Sequence, residues 1–144
     1  MHNWFECKVR YDKTTENGLI KTVTEPYLVD ALSFTEAEAR IVEQMKPFIS
    51  GEFQVSGIRH RNFAETFLSK TGDRYYSVRL AFISLDEKSG TEKRQMVNVL
   101  AQASTLKEAL DTVTYEMGKT VVDYQFVGIV ETPIMDIFSC KSEE

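Results

Sequence analysis

Apolar and polar residues alternate from the first residues of the chain. Phe5, Cys7, Val9 and Tyr11 fall on one side of an extended segment, and Trp4, Glu6, Lys8 and Arg10 on the other. A period of two marks a strand with one buried face. The same alternation returns 71 positions later, where Tyr76, Val78, Leu80 and Phe82 form the inward set and Tyr75, Ser77, Arg79 and Ala81 the outward one. Second strands follow over about Lys21–Ala31 and Arg94–Ala103. Asn17-Gly18 and Ser89-Gly90 mark the preceding turns. Asn-Gly is the strongest short hairpin signal, because both residues tolerate positive φ. Pro26 interrupts the first of these strands and cannot donate to a ladder, which predicts an edge or a bulge and leaves strand one as the central strand.

The period then changes from two to between three and four. Phe34, Ala37, Ile41 and Met45 make one apolar helix stripe, and Leu106, Ala109, Val113 and Met117 make its twin. Each helix opens on the same device, Ser33-Phe34-Thr35-Glu36 in one and Thr105-Leu106-Lys107-Glu108 in the other, with a hydroxyl three residues before a glutamate. Pro47 and Gly51 close the first helix region and Gly118 the second. Third strands are predicted over about Glu52–Arg61 and Asp123–Thr132. Gly57 and Gly128 stand inside them at equivalent positions, as expected of a bulge or a close backbone approach.

The repeat therefore predicts an α+β protein made of tandem duplicated ββαβ units related by a pseudo-twofold axis, with the helices on one face of antiparallel or mixed sheet. Residues 1–68 are read as the first repeat, 69–74 as a linker, 75–138 as the second repeat and 139–144 as a tail. Copying extends to Phe67 and Phe138, so a short segment past each third strand belongs to the unit. Each half alone would have too little interior to be more than marginally stable, so one compact domain is expected overall.

Composition narrows the function only a little. With 17 basic and 22 acidic residues, the net charge of −5 disfavours wholesale polyanion binding without excluding a local basic face. Cys7 and Cys140 have no metal or redox spacing, which fits a cytoplasmic setting. No signal peptide is read at the start, and no apolar run reaches the ~20 residues of a membrane span. There is no phosphate loop, nucleophile elbow or metal-ligand cluster, so neither cofactor nor metal is expected. His60 lies between Arg59 and Arg61 without a local carboxylate partner, and His2 lies at the terminus. The balance is against an enzyme, although a site assembled from distant residues would be invisible at this level. Glu25, beside Pro26, is read as a paired or edge carboxylate.

The outward face of the first strands is the more informative place. Trp4 and Tyr75 are equivalent, as are Lys8 and Arg79, with Arg10 added in the first copy and Arg59 and Arg61 nearby. Two readings follow. The aromatics pack structurally or form a protein interface, a homodimer included; alternatively they stack single-stranded nucleic acid while the cations hold phosphates. A third, lesser reading places a small-molecule site near Gly57 and Gly128.

Three stretches carry a resemblance: Asn3-Trp4-Phe5-Glu6-Cys7-Lys8-Val9, the run from Val23 through Pro26 and Phe34 to Arg40, and Glu131-Thr132-Pro133-Ile134-Met135-Asp136-Ile137-Phe138. With these the chain resembles an uncharacterised family of Bacteroidetes bacteria and their phages. The resemblance spans nearly the whole sequence. It carries no assigned activity and transfers no site residue; it implies an intracellular protein of a bacterium or mobile element, and its phage association points toward DNA metabolism.

Overall fold

The computed structural model describes residues 3–139. His2, Cys140 and the rest of the expected tail lie outside them. The elements are β1 (Trp4–Thr14), β2 (Ile20–Asp30), α1 (Phe34–Met45), β3 (Phe53–Arg61), β4 (Glu65–Phe67), β5 (Arg74–Asp86), β6 (Thr91–Ala103), α2 (Leu106–Met117), β7 (Asp123–Thr132) and β8 (Ile137–Phe138). They form two four-stranded mixed sheets, in the orders β3-β1-β2-β8 and β4-β6-β5-β7. The fold is α+β with two similar sheets, each carrying one helix, as the alternation predicts.

Two compact units result, residues 1–62 with 133–144, and residues 63–132. In the first, β1 is central and antiparallel to both β2 and β3. Phe5, Cys7 and Val9 of β1 meet Tyr27, Val29 and Ala31, and Ala37, Ile41 and Met45 of α1 close over them. In the second, the same places hold Tyr76, Val78 and Leu80; Val99, Ala101 and Ala103; and Ala109, Val113 and Met117. All nine buried positions correspond one to one, so the two sheets are packed alike. The leading members of the helix stripes differ from expectation. Phe34 and Leu106, the first residue of each helix, are exposed by 54% and 48%. Phe34 still sets its ring edge-on against Phe5, 4.9 Å between centroids.

Local chemistry explains the element ends. Ser33 Oγ accepts from the Glu36 amide and Thr105 Oγ1 from the Glu108 amide, both at 3.1 Å, so the hydroxyl of each predicted box caps its helix start. In the first hairpin only Gly18 adopts positive φ, at 78°; Asn17 does not. The Gly18 amide donates to the Thr15 carbonyl and the Thr15 amide to the Leu19 carbonyl, a three-residue loop with glycine in the left-handed position. The second hairpin has one more loop residue, with the Gly90 amide donating to the Asp86 carbonyl and Gly90 at φ 69°. This is where the repeat offset grows by one. The register slips between Lys8 and Val9 against β3, and between Arg79 and Leu80 against β7, beside Gly57 and Gly128. These are the expected bulges.

Strand two is not a bare edge. The outer side of β2 pairs in parallel with β8, Leu28 with Ile137 and Val29 with Phe138. Pro26, without an amide hydrogen, serves that side as an acceptor: its carbonyl takes the Met135 amide at 2.8 Å. On β6 the same place is taken by β4. Phe67 and Phe138 are counterparts in the repeat, yet Phe67 packs on the second core and Phe138 on the first. Each sheet is thus completed by the arm of the other repeat.

The segment read as a linker is held against the second sheet. The Ser69 amide donates to Gln102 Oε1, Gln102 Nε2 to the Gly72 carbonyl, and Ser104 Oγ to the Thr71 carbonyl. A Cβ on Gly72 would lie 2.6 Å from the Ala103 backbone, so close approach requires glycine here.

Candidate functional site

The sheet face away from the helix carries the residues singled out for function. In the first unit its successive rows are Trp4, Asp30 and Arg61; Glu6, Leu28 and Arg59; Lys8, Pro26 and Gly57. In the second they are Tyr75, Gln102 and Thr132; Ser77, Leu100 and Val130; Arg79, Asn98 and Gly128.

This face is not open along its length. Trp4 is 2% exposed and Tyr75 5%, and Leu28 and Leu100, also on this face, are wholly buried. None of the four belongs to the clusters beneath the helices. Alternation separates the two faces of a strand but does not say whether the second meets water. The signal available was the consecutive pair Leu28-Val29 and its copy Leu100-Ala101, apolar on both sides of the strand.

Glu6 lies in the outward set, as the alternation predicts, yet it is 5% exposed. Arg61 Nη1 hydrogen-bonds Glu6 Oε1, and Arg59 Nη2 stands 3.5 Å from the same oxygen. A carboxylate removed from water needs such partners, and a guanidinium supplies them without any risk of losing its charge. Two cations expected to hold phosphates are therefore committed to an internal carboxylate. Arg61 is largely covered, whereas the Arg59 side chain is 66% exposed. Lys8, Arg10 and Arg79 remain exposed on the same face. Lys8 and Arg59 border a shallow groove of about 170 Å³ with Glu6, Gly57 and Ile58.

His60 faces the helix side, its Nε2 against Asn3 Oδ1 and its ring edge-on to Phe5. An amide oxygen can orient the ring but cannot stabilise an imidazolium as a carboxylate does.

A second polar cluster lies at the margin of the first core. Glu25 Oε1 accepts from the Tyr11 hydroxyl at 2.8 Å and the Tyr27 hydroxyl at 3.3 Å, and Lys13 Nζ is 3.9 Å from Oε2. This is the paired carboxylate expected at Glu25. Burial, reinforced by the Glu25 charge and hydrogen bonds, raises both tyrosine pKa values above 10.0. Burial likewise pushes the Cys7 thiol up from 9.0 to about 12, with help from the Glu6 charge. A thiol held so firmly protonated is a packing group rather than a nucleophile.

Among the described residues no group of three His, Cys, Asp or Glu side chains is placed to hold a metal ion, and no helix is long and apolar enough to cross a membrane. A search of curated proteins finds no match. The family model for a domain of unknown function, DUF4494, matches residues 3–140, and the chain belongs to that family.

Proposed function

We propose that this protein is a non-enzymatic cytoplasmic binding module with a structural or protein-interaction role, self-association included. The observation that carries this reading is the burial of Trp4 and Tyr75, at 2% and 5% exposure, together with the capture of Arg59 and Arg61 by Glu6. A nucleic-acid platform needs accessible rings for bases and uncommitted cations for phosphates. Here the rings are covered and two of the cations already serve a carboxylate.

Trp4 is the single tryptophan, so its fluorescence reports directly on this face. Weak quenching by acrylamide and an unchanged spectrum on titration with single-stranded oligonucleotides at low salt are the expected results. Oligonucleotide binding that weakens steeply with salt would overturn the reading.

The nucleic-acid reading keeps one specific support, the exposure of Lys8, Arg10 and Arg79. It predicts that Lys8→Glu with Arg79→Glu abolishes oligonucleotide binding, and that the salt slope falls with each cation removed. Both substitutions are at exposed positions, so loss of fold would not confuse the result.

A further inference from the structure

We propose that the outer edge of β2 is a self-association site, which takes residues 133–139 of a second copy of this chain in exchange for its own. The inference rests on the protein-interaction reading and names the surface and partner that would serve it.

The edge is a slot for an extended segment. Beyond the two paired residues, the Leu28 amide donates to the Asp136 carbonyl and the Met135 amide to the Pro26 carbonyl. The Phe138 ring stacks on Tyr27 at 5.9 Å and packs on the first core, and Arg40 Nη2 donates to the Ser139 carbonyl at 3.2 Å. Main-chain bonds supply affinity, and the seat of Phe138 supplies selectivity, which is the logic of strand addition. The attachment is short: its release gives up the seats of Phe138 and the buried Ile134 but leaves the pairing of β1 with β2 and β3 in place.

The case for a second copy rests on the path of the chain. Residues 65–67, the arm that follows the first repeat, pair with β6, a strand of the second repeat. Residues 137–138, the arm that follows the second repeat, pair with β2, a strand of the first. Each slot is therefore already filled by an arm that its own repeat does not supply. An arm from another molecule makes the same contacts, so exchange between chains sacrifices no interaction and is set by concentration.

The test uses the full chain with Cys140→Ser throughout; Cys7 is fully buried and its thiol stays protonated, so it does not react with maleimides. Copies carrying Arg40→Cys are mixed with copies carrying Ser139→Cys at high concentration and treated with a short bis-maleimide. A cross-linked heterodimer that accumulates with incubation is expected. The chain carrying both cysteines, cross-linked when dilute, has its arm locked at home. By light scattering its dimer fraction should stay below about a tenth of that of the unlocked chain. Absence of heterodimer, or equal dimerisation of locked and unlocked chains, would overturn the arm proposal. Equal dimerisation would leave the protein-interaction reading standing, whereas salt-sensitive oligonucleotide binding would remove that reading whatever the arm does.

Discussion

The two repeats build the same core from equivalent positions but treat polar groups in opposite ways. The first holds Glu6 with Arg59 and Arg61, where the second has Ser77, Val130 and Thr132. The first also holds Tyr11, Glu25 and Tyr27, where the second has Phe82, Val97 and Val99. Each polar set is present or absent as a whole. A set replaced by halves would strand a carboxylate or a guanidinium without its partner, at a cost of several kcal/mol. The second unit shows that this fold can form without either set, so neither is a requirement of the architecture.

The sharpest test of that comparison is to break the first set and then to transplant its counterpart. Arg61→Ala leaves Glu6 buried with only the largely exposed Arg59 to face it. We expect a loss of about 2–4 kcal/mol, read by urea denaturation. Glu6→Ser, Arg59→Val and Arg61→Thr together install the second repeat's residues. This triple variant should recover stability to within about 1 kcal/mol of the parent, since an apolar or neutral replacement of a buried ion pair is often nearly neutral. A triple variant as unstable as Arg61→Ala would mean that the first unit has come to depend on its charges.

The second set offers a smaller effect with a pH signature. Glu25→Val removes the acceptor of two tyrosine hydroxyls and should cost about 1.5–3 kcal/mol. The Tyr11, Tyr27 and Cys7 protons are held more tightly in the folded chain than in the unfolded one. Their stabilising contribution is therefore complete below the unfolded values of 9.0 for the thiol and 10.0 for the phenols, and is lost as pH rises through the folded ones. The urea midpoint should fall between neutral pH and about pH 10.5. The variant Tyr11→Phe, Glu25→Val, Tyr27→Phe, which removes every polar group of this set, should show a shallower fall. An equal fall in both would assign the alkaline sensitivity elsewhere.

The caps test the likeness rather than the difference. Ser33→Ala and Thr105→Ala each remove one acceptor from one helix amide at the same distance, so each should lower stability by about 1 kcal/mol. Unequal losses would show that the two helices are not equally coupled to their sheets.

These contrasts also explain what could be read from the chain without coordinates. The central place of strand one, its buried positions, the helix stripes after their first residue, the caps and the bulges all arise from local signals, and each recurs in both copies. Glu6 escaped because periodicity sorts residues by face, whereas its burial depends on Arg59 and Arg61, more than fifty positions away and brought opposite only by the β1–β3 register. Trp4 and Tyr75 fall on one face, and the choice between packing and stacking stays open in the sequence, because period two does not say whether that second face meets water. Similarly, a repeat shows that an arm follows each third strand but not which copy's sheet receives it. For the candidate site, then, the sequence located the face and the structure changed its meaning.

The smallest expected effect concerns the glycines at the bulges. Gly57 and Gly128 lie opposite Lys8 and Arg79, and neither adopts positive φ. A Cβ built on either meets no atom within 4 Å. Folding thus gives no steric reason for glycine at either place, unlike Gly72, where the Ala103 backbone stands in the way. Gly57→Ala and Gly128→Ala should each change stability by no more than about 0.5–1 kcal/mol, and in the stabilising direction, since alanine restricts the unfolded chain and clashes with nothing. Thermal unfolding of the two single variants measures this directly. A loss in both would reveal a backbone demand of the bulge that the contacts do not show. A loss in one alone would add a third difference between the repeats, at the one pair of glycines where they look most alike.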